Sequence, residues 1–279
     1  VSYSIASVFT APEHRKKGHA NRMMTLLHTA IGLPLSPSID ESSAVERVDE
    51  EWQGGADGTL SFLYSDVGDF YARCGPGWHT RSPTTTTWTL SSLPLLGLTP
   101  SPFCAPISMS ALHSLAAADA VLLRSDLAKN GKATAFTVEP SGANYIWRIM
   151  RSAYHGSKMG IKTPSSWGAE IGSHWTPEDW SMILYAIDYP KKVLKILRVR
   201  ANAATIGELL KVAFEAAREN GCDKVVVWNL DEGLEKAVEE FGGVREERKG
   251  ELSAVAWYGE GAAGGKELDW KTNEGYAWC

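Results

Sequence analysis

The sequence predicts an α/β protein built from two domains, and three observations lead to this prediction. Strand and helix patterns alternate in the C-terminal half, which is typical of a sheet covered by helices. A strand, a charged turn and an amphipathic helix also open the chain. Finally, the 279 residues are 44% hydrophobic and 22% charged, as in ordinary globular proteins, and are enough for two domains.

The N-terminal elements follow from local patterns. Ser4–Thr10 is short and largely apolar, which predicts a strand. Apolar side chains recur at helical spacing over Ala20–Ile31, which predicts a helix. Further strands are expected at Phe62–Tyr64 and Thr84–Leu90. Between them, Asp69–Cys74 is expected to form a short helix.

Two irregular stretches organise the rest of the chain. The polar, acidic segment Ser36–Gly58 is expected to be a long surface loop, and Leu93–Phe103, rich in Pro, Ser and Leu, is expected to be a linker. We therefore expect one domain over residues 1–99 and a second over residues 100–279. The predicted elements of the second domain are helices at Ile107–Lys129, Tyr145–Tyr154, Thr205–Asn220 and Glu232–Phe241, and strands at Ala133–Val138, Ser181–Ile187, Val193–Val199, Lys224–Trp228 and Ser253–Tyr258. The two halves share a strand–helix–strand–helix order, which hints at two related units.

Composition excludes several function classes. The 28 basic and 33 acidic side chains give a net charge of -5, which argues against a nucleic-acid partner because phosphate contacts need clustered cations. The four cysteines are far apart and the histidines lack metal-ligand spacing, so we expect reduced thiols, no metal and a cytoplasmic location. No apolar run is long enough for a membrane span. The chain opens on Val1 without a visible signal peptide, and we expect that an N-terminal portion is missing.

The first motif with chemical content is Arg15–Ala20, which lies between the predicted strand and helix. The first turn of a helix has unpaired N–H groups and a positive dipole end, and Gly18 lets a ligand approach the backbone. With three cationic side chains beside it, this turn predicts a site for a di-anion such as a pyrophosphate. Neither a Walker loop nor a G-x-G-x-x-G fingerprint is present. A solvated basic helix start is the alternative interpretation.

These residues resemble a known family. Ser7–Ala20 looks like the acetyl-CoA-binding motif of the GNAT N-acetyltransferases, which places Arg/Gln-x-x-Gly-x-Gly/Ala after the fourth strand, and Leu63–Gly75 resembles the motif that follows it. Within that superfamily, Val225–Asn229, Ala256–Gly259 and Asn273–Cys279 are similar to the fungal lysine N-acetyltransferase family. That family has a GNAT domain followed by a second, GNAT-like C-terminal domain.

The resemblance implies a fold and an activity. The fold would be a GNAT-type mixed sheet flanked by helices, incomplete at its N-terminus because the elements before the fourth strand are absent, followed by a GNAT-like α/β domain. The activity would be acetyl transfer from the co-substrate acetyl-CoA, without a metal, to a small-molecule primary amine. The side-chain amine of free lysine would attack the thioester directly in a ternary complex. A protein or peptide acceptor, or a non-catalytic CoA-binding module, are the alternatives.

The resemblance also implies site residues. The backbone of Val8, Phe9 and Thr10 would hold pantetheine and polarise the thioester carbonyl. The pyrophosphate would be held by Arg15, Lys16, Lys17, Gly18, His19 and Ala20. Tyr71 would protonate the departing CoA thiolate, although a core aromatic is the alternative for this residue. Cys74 has no histidine to activate it and is not expected to be a nucleophile. No residue is assigned as the general base.

Some further segments depart from the pattern or carry other expectations. The turn Gly75–Trp78 is two residues longer than the usual Gly-Trp. Ser166–Glu170 and His174–Trp175 are expected either to pack in the core or to form a loop over the acceptor site. Arg245–Lys249 is expected to be a solvated charged face. Four tryptophans, Trp228, Trp257, Trp270 and Trp278, are expected to hold the C-terminal domain together.

Overall fold

The computed structural model of the chain describes residues 1–32, 58–75, 77–80, 83–93, 100–130, 134–259 and 267–278. The chain forms two compact units. The first unit comprises Val1–Ser82 and Arg248–Asp269, and the second comprises Pro83–Glu247 and Trp270–Trp278. The predicted loop Ser36–Gly58, apart from Gly58, and residues 94–99 beside the predicted domain boundary lie outside the described residues. The division at residue 99 therefore stays a prediction.

Strands and helices alternate along the chain. In chain order the strands are β1 (Ser2–Ile5), β2 (Leu60–Ser65), β3 (His79–Thr80), β4 (Thr84–Thr89), β5 (Ala105–Pro106), β6 (Ala135–Phe136), β7 (Gly168–Ser173), β8 (Thr176–Asp188), β9 (Val193–Arg200), β10 (Lys224–Trp228), β11 (Val244–Glu247), β12 (Leu252–Trp257) and β13 (Asp269–Trp270). The helices are α1 (His19–Ile31), α2 (Leu112–Asn130), α3 (Gly142–Lys158), α4 (Ile206–Glu219) and α5 (Glu235–Glu239). Single 3-10 turns include Pro12–His14 and Phe70–Arg73. The predicted α/β class is confirmed.

The first unit contains a four-stranded mixed sheet in the order β1-β2-β12-β3. β1 runs parallel to β2, and Ser2–Ile5 pairs with Leu60–Leu63. β1 ends at Ile5, whereas β2 continues to Ser65, so the pairing of the two strands stops after Ile5. The predicted strand Ser4–Thr10 is therefore wrong in its extent. The reason is local, because Ser7 takes a positive φ of 58° that no strand tolerates.

A buried polar network fixes α1 against this sheet. The His28 ring stacks on Trp78 at a centroid distance of 3.7 Å, and its Nδ1 lies 2.9 Å from the Tyr258 hydroxyl. Ser61 Oγ lies 2.8 Å from the same hydroxyl and accepts a hydrogen bond from Trp78 Nε1 at 2.9 Å. Burial lowers the pKa of His28 to about 4, although the Cys74 backbone acts in the opposite direction. His28 is consequently neutral under physiological conditions.

The second unit is built on a seven-stranded sheet in the order β11-β4-β10-β9-β8-β7-β5. β9 and β10 are parallel, whereas the other neighbouring strands are antiparallel. α4 packs on the central strands through side chains such as Leu209 and Phe214, which are inaccessible to solvent. α3 packs on β8, and α2 packs on α3. The sheet therefore has a core of its own, which the strand–helix alternation predicted.

A charged network lies inside this second unit. The carboxylate of Asp119, on α2, accepts hydrogen bonds from Arg198 Nε at 2.7 Å, Arg198 Nη2 at 2.9 Å and Arg200 Nε at 2.8 Å. Arg198 Nη1 donates to Glu274 at 2.7 Å. Burial raises the pKa of Asp119, but Arg198 and Arg200 outweigh this effect and leave it below its ordinary value. A buried carboxylate is stable here because two guanidinium groups neutralise it.

Several expectations about the C-terminal half need correction. β12, expected within a C-terminal domain, pairs with β2 in the sheet of the first unit, and it carries Trp257 there. Arg245–Glu247 is exposed, as expected for a solvated charged face, and forms part of the edge strand β11, which pairs with β4, whereas Arg248 of the same cluster is buried. Glu232–Phe241 is a 3-10 turn followed by the five-residue α5 rather than one helix. β11 and β12 depend on pairing with distant strands, which local patterns do not encode.

Candidate functional site

The turn between β1 and α1 is held in a conformation that exposes the start of the helix. Lys16 and Gly18 both have positive φ angles, 62° and 80°. Gly18 is the N-cap of α1, and no side chain caps this end. A Cβ atom added at Gly18 would meet nothing within 4 Å, so the glycine is needed for its backbone angle and borders open space. The first N–H groups of α1 are thus available to a ligand.

Arg15 ties the two sides of this turn together. Its Nε donates a hydrogen bond to the Thr10 carbonyl at 3.0 Å, and its guanidinium lies 5.8 Å from the centroid of the Phe9 ring. These contacts hold the segment after β1 close to the segment before α1. The cation is therefore fixed beside the exposed helix start rather than free in solvent.

A cleft of about 480 Å³ connects this helix start with Tyr71. The predicted residues that line it are Val8, Phe9, Thr10, Arg15, Lys16, Gly18, His19, Ala20 and Tyr71. Lys17 is not part of the lining. His14, Asn21, Val67 and Phe70 complete it. We call this the basic cleft, because its lining carries cations and, among the described residues, no carboxylate.

Tyr71 reaches the basic cleft from the 3-10 turn Phe70–Arg73. Its ring is half-buried and packs edge-on against Phe70, with centroids 5.1 Å apart, and against Trp78 at 6.4 Å. Burial raises the pKa of the phenol, and the nearby Cys74 and Asp66 raise it further. Tyr71 is therefore protonated at neutral pH and available as a proton donor. Its hydroxyl has no hydrogen-bond partner among the described residues.

The turn after Tyr71 helps to hold this side chain in the basic cleft. The Tyr71 carbonyl accepts a hydrogen bond from the Trp78 amide at 3.1 Å, and Trp78 is fully buried. Gly77 has a φ of 87°, and a Cβ there would collide with the Ala72 carbonyl. The longer Gly75–Trp78 turn thus folds back tightly on the 3-10 turn, although Pro76 lies outside the described residues.

Asn21 is a cleft residue that the sequence interpretation missed. Its Nδ2 donates to the Arg73 carbonyl at 3.3 Å and to Cys74 Sγ at 3.5 Å. It therefore links the first turn of α1 to the turn that carries Tyr71. Its position one residue after the Arg15–Ala20 motif was the signal that could have identified it.

Cys74 lies beneath the basic cleft and is fully buried. Burial raises the pKa of its thiol, and the side chain of Asn21 partly counteracts this. The thiol donates to the Phe70 carbonyl at 3.4 Å. A buried, protonated thiol is a poor nucleophile.

The described part of the chain has neither a cluster of metal ligands nor a membrane-spanning helix. It contains no group of three or more side chains that could hold a metal ion. It also contains no helix long and apolar enough to cross a membrane. His174 accepts or donates a hydrogen bond at 3.0 Å with Glu170, which also accepts from Trp180 Nε1 at 2.8 Å, so these side chains pack within the second unit. Trp175, singled out with His174, is instead 76% exposed.

Comparison with known proteins places this fold in a class. A solved structure described as a GCN5-related N-acetyltransferase from Anabaena variabilis aligns with 92% of this chain at a TM-score of 0.50 and 13% identity, covering 55% of that protein. Another from Kribbella flavida aligns with 91% of this chain, covering 51% of that protein, at a TM-score of 0.49 and 14% identity. The chain spans about half the length of these structures. Its fold is that of the GNAT N-acetyltransferases.

The sequence comparisons narrow this class to a family. A family model described as the LYC1 GNAT-like C-terminal domain matches residues 96–279, which is well over half of the chain. The chain belongs to this family. A relative named lysine acetyltransferase, from Yarrowia lipolytica, is 24% identical over 297 aligned residues, covering 91% of this chain and 72% of that protein.

Proposed function

We propose that this protein is an acetyl-CoA-dependent N-acetyltransferase that transfers an acetyl group to a primary amine. The observation that carries the proposal is the basic cleft, which joins an uncapped, cation-flanked helix start to a protonated tyrosine. The N–H groups of α1, with Arg15 and Lys16, suit the pyrophosphate of CoA. The open space beside Gly18 admits the phosphates close to the backbone.

The chemistry assigned to this chain is mainly positioning. The segment Val8–Thr10 follows the point where β1 stops pairing with β2. It offers backbone groups to the pantetheine arm and to the thioester carbonyl. The amine acceptor attacks the thioester carbon, a C–N bond forms and the C–S bond breaks. Tyr71 then gives its proton to the departing thiolate sulfur. The amine nitrogen loses one proton to solvent, and solvent returns a proton to Tyr71. Direct transfer needs no covalent enzyme intermediate, in agreement with the buried Cys74.

We further propose that the acceptor is the side-chain amine of free lysine and that the protein acts in the cytoplasm. The support for this acceptor is the similarity to the fungal lysine N-acetyltransferase family, together with the name of the Yarrowia relative. We also propose that Lys17 contributes to pyrophosphate binding. Residues 1–99 would form the CoA-binding domain. Side-by-side turnover of free lysine and lysine-containing peptides separates the acceptors, and turnover of the peptides alone would contradict the choice of free lysine.

A thermal-shift experiment tests the cofactor. Acetyl-CoA should raise the melting temperature in proportion to the logarithm of its concentration above Kd. Lys16→Glu should abolish this shift, because it places an anion in the basic cleft. Arg22→Glu is the matched control, since it makes the same charge change on the exposed surface of α1 outside the cleft. A shift that is lost equally in both variants, or absent in the unmodified protein, would contradict the proposal.

A further inference from the structure

The second unit contains a larger cleft, which the proposed function does not use. Its volume is about 650 Å³. It is lined by the C-terminal half of α2, by the residues that follow β9 and β10, and by the segment 271–274. We call it the second-unit cleft.

Arg200 presents a fixed cation to this cleft. Its side chain is only 18% exposed, and its Nε donates to the fully buried Asp119 at 2.8 Å. Its terminal nitrogens reach Asp126 Oδ2 at 3.4 and 3.5 Å, and they have no other partner among the described residues. Charge-assisted hydrogen bonds usually measure about 2.7–2.9 Å. The outward edge of this guanidinium is therefore oriented but poorly satisfied.

The neighbouring Arg198 shows what a satisfied guanidinium looks like in this unit. Its Nε and Nη2 donate to Asp119 at 2.7 and 2.9 Å, and its Nη1 donates to Glu274 at 2.7 Å. Arg198 is 5% exposed at its side chain and serves the core. Arg200 differs because only one edge of its guanidinium is engaged in that core.

The remainder of the lining offers an opposite charge and an apolar wall. Asp126 is 54% exposed and lies beside Arg200. Its carboxylate can therefore pair with a cationic group of a ligand in place of its long contacts with Arg200. Leu123, Leu127 and Leu234 supply apolar surface in the same cleft. The buried amide nitrogen of Asn130, also in the lining, has no hydrogen-bond acceptor among the described residues.

We propose that the second-unit cleft binds a free α-amino acid with an apolar side chain. The carboxylate lies on the two terminal nitrogens of Arg200, and the ammonium group lies on Asp126. An Arg–Asp pair separated by 3.4–3.5 Å matches the adjacent opposite charges of such a zwitterion. The three leucines receive the side chain. This site stands independently of acetyl transfer.

Calorimetric titration with leucine on the full chain tests this site, without acetyl-CoA present. Leucine should bind, whereas 4-methylpentanoate, which lacks the amino group, and 3-methylbutylamine, which lacks the carboxylate, should each bind at least about tenfold more weakly. Failure of leucine to bind, or equal binding of the three compounds, would overturn the proposal.

Variants locate the binding. Asp126→Asn removes an exposed charge, leaves the fold intact and should weaken leucine at least about tenfold. Glu139→Gln is the matched control, since it removes an exposed carboxylate that pairs with Arg124 outside the cleft. Arg200→Lys should also weaken binding, with its melting temperature measured to separate loss of binding from loss of structure. Unchanged binding in Asp126→Asn contradicts the site, while Lys16→Glu, which disables the proposed acetyl-CoA site, should leave leucine binding intact.

Discussion

Two of the strand–turn–helix segments in the described chain, β1–α1 and β9–α4, differ in the charge and hydrogen bonding of the turn before the helix. The turn before α1 contains three cations, and no side chain caps the helix. The turn before α4 contains no cation. Its Asn202 Oδ1 accepts hydrogen bonds from the amides of Ala204 at 2.9 Å and Thr205 at 3.1 Å.

The strand that precedes α4 also uses side chains of the protein to satisfy its backbone. In the second unit the amide of Val199, near the end of β9, donates to Glu274 at 2.7 Å. In the first turn of α4, Glu208 adds a carboxylate, which accepts hydrogen bonds from the Ser101 amide at 3.1 Å and from Lys211 Nζ at 2.7 Å. The second unit thus satisfies amides of this strand and turn with its own side chains, whereas we propose that the first unit leaves the amides of its turn and helix start to acetyl-CoA.

The largest expected effect concerns the network that places Glu274 on β9. Asp119→Ala leaves the buried guanidinium of Arg198 and the partly buried guanidinium of Arg200 without this carboxylate. We expect a loss of about 3–5 kcal/mol in the free energy of unfolding. Denaturant titration measures it. Glu139→Ala, which breaks an exposed pair with Arg124, should cost less than about 1 kcal/mol. Similar costs in the two variants would show that the buried network does not stabilise the second unit.

The first unit has a neutral network instead, which predicts a pH dependence. The pKa of His28 falls from 6.5 to about 4 on folding, so the folded state binds fewer protons between these values. Stability from His28 is full above pH 6.5 and is lost as the pH falls towards 4, by about 3 kcal/mol. Unfolding curves over this range, compared with those of His28→Gln, measure it. An equally steep loss in the variant would exclude His28 as the cause.

Much of this architecture was predictable from sequence because it is local. Lys224–Trp228 was predicted with its observed bounds, since a short β-branched run between turn residues is recognisable alone. The Arg15–Ala20 motif and Tyr71 were selected by resemblance, and the structure places them, except Lys17, in one cleft.

What was missed depends on distant parts of the chain. β12 is a buried strand whose sequence does not reveal its partner, and it pairs with β2 almost 200 residues away. β11 is exposed along its whole length, so it has no apolar alternation to detect. The hydrogen bond from the Val199 amide to Glu274 joins residues that are 75 positions apart. Long-range pairing of this kind leaves no periodic signal.

The role of Tyr71 distinguishes a reactive cleft from one that only binds. If Tyr71 protonates the thiolate, Tyr71→Phe should lower kcat by a factor of about 10²–10⁴ and leave the thermal shift with acetyl-CoA unchanged. Steady-state kinetics over a range of pH measures the change. Full activity at every pH would remove Tyr71 from the mechanism, and loss of the thermal shift would assign it to binding.

The Asn202 turn before α4 gives a smaller effect on stability. Asn202→Ala should cost about 1 kcal/mol, because the amides of Ala204 and Thr205 lose their acceptor. It should not create a second acetyl-CoA site, since the turn has no cations and Glu208 stays in place. Calorimetry measures both the stability and the stoichiometry of acetyl-CoA binding. A rise from one bound molecule to two would mean that the Asn202 hydrogen bonds alone keep acetyl-CoA from the turn before α4.

The smallest expected change compares two glycines at opposite ends of such helices. Gly18 and Gly221 have φ angles of 80° and 66°, and in both cases an added Cβ would meet nothing within 4 Å. Replacement by alanine should therefore destabilise the protein by a similar amount at each site, about 1 kcal/mol, through backbone strain alone. Only Gly18→Ala should also weaken acetyl-CoA, because its methyl group enters the space beside the uncapped amides of α1. Equal acetyl-CoA affinity in the two variants would show that the ligand does not approach this backbone.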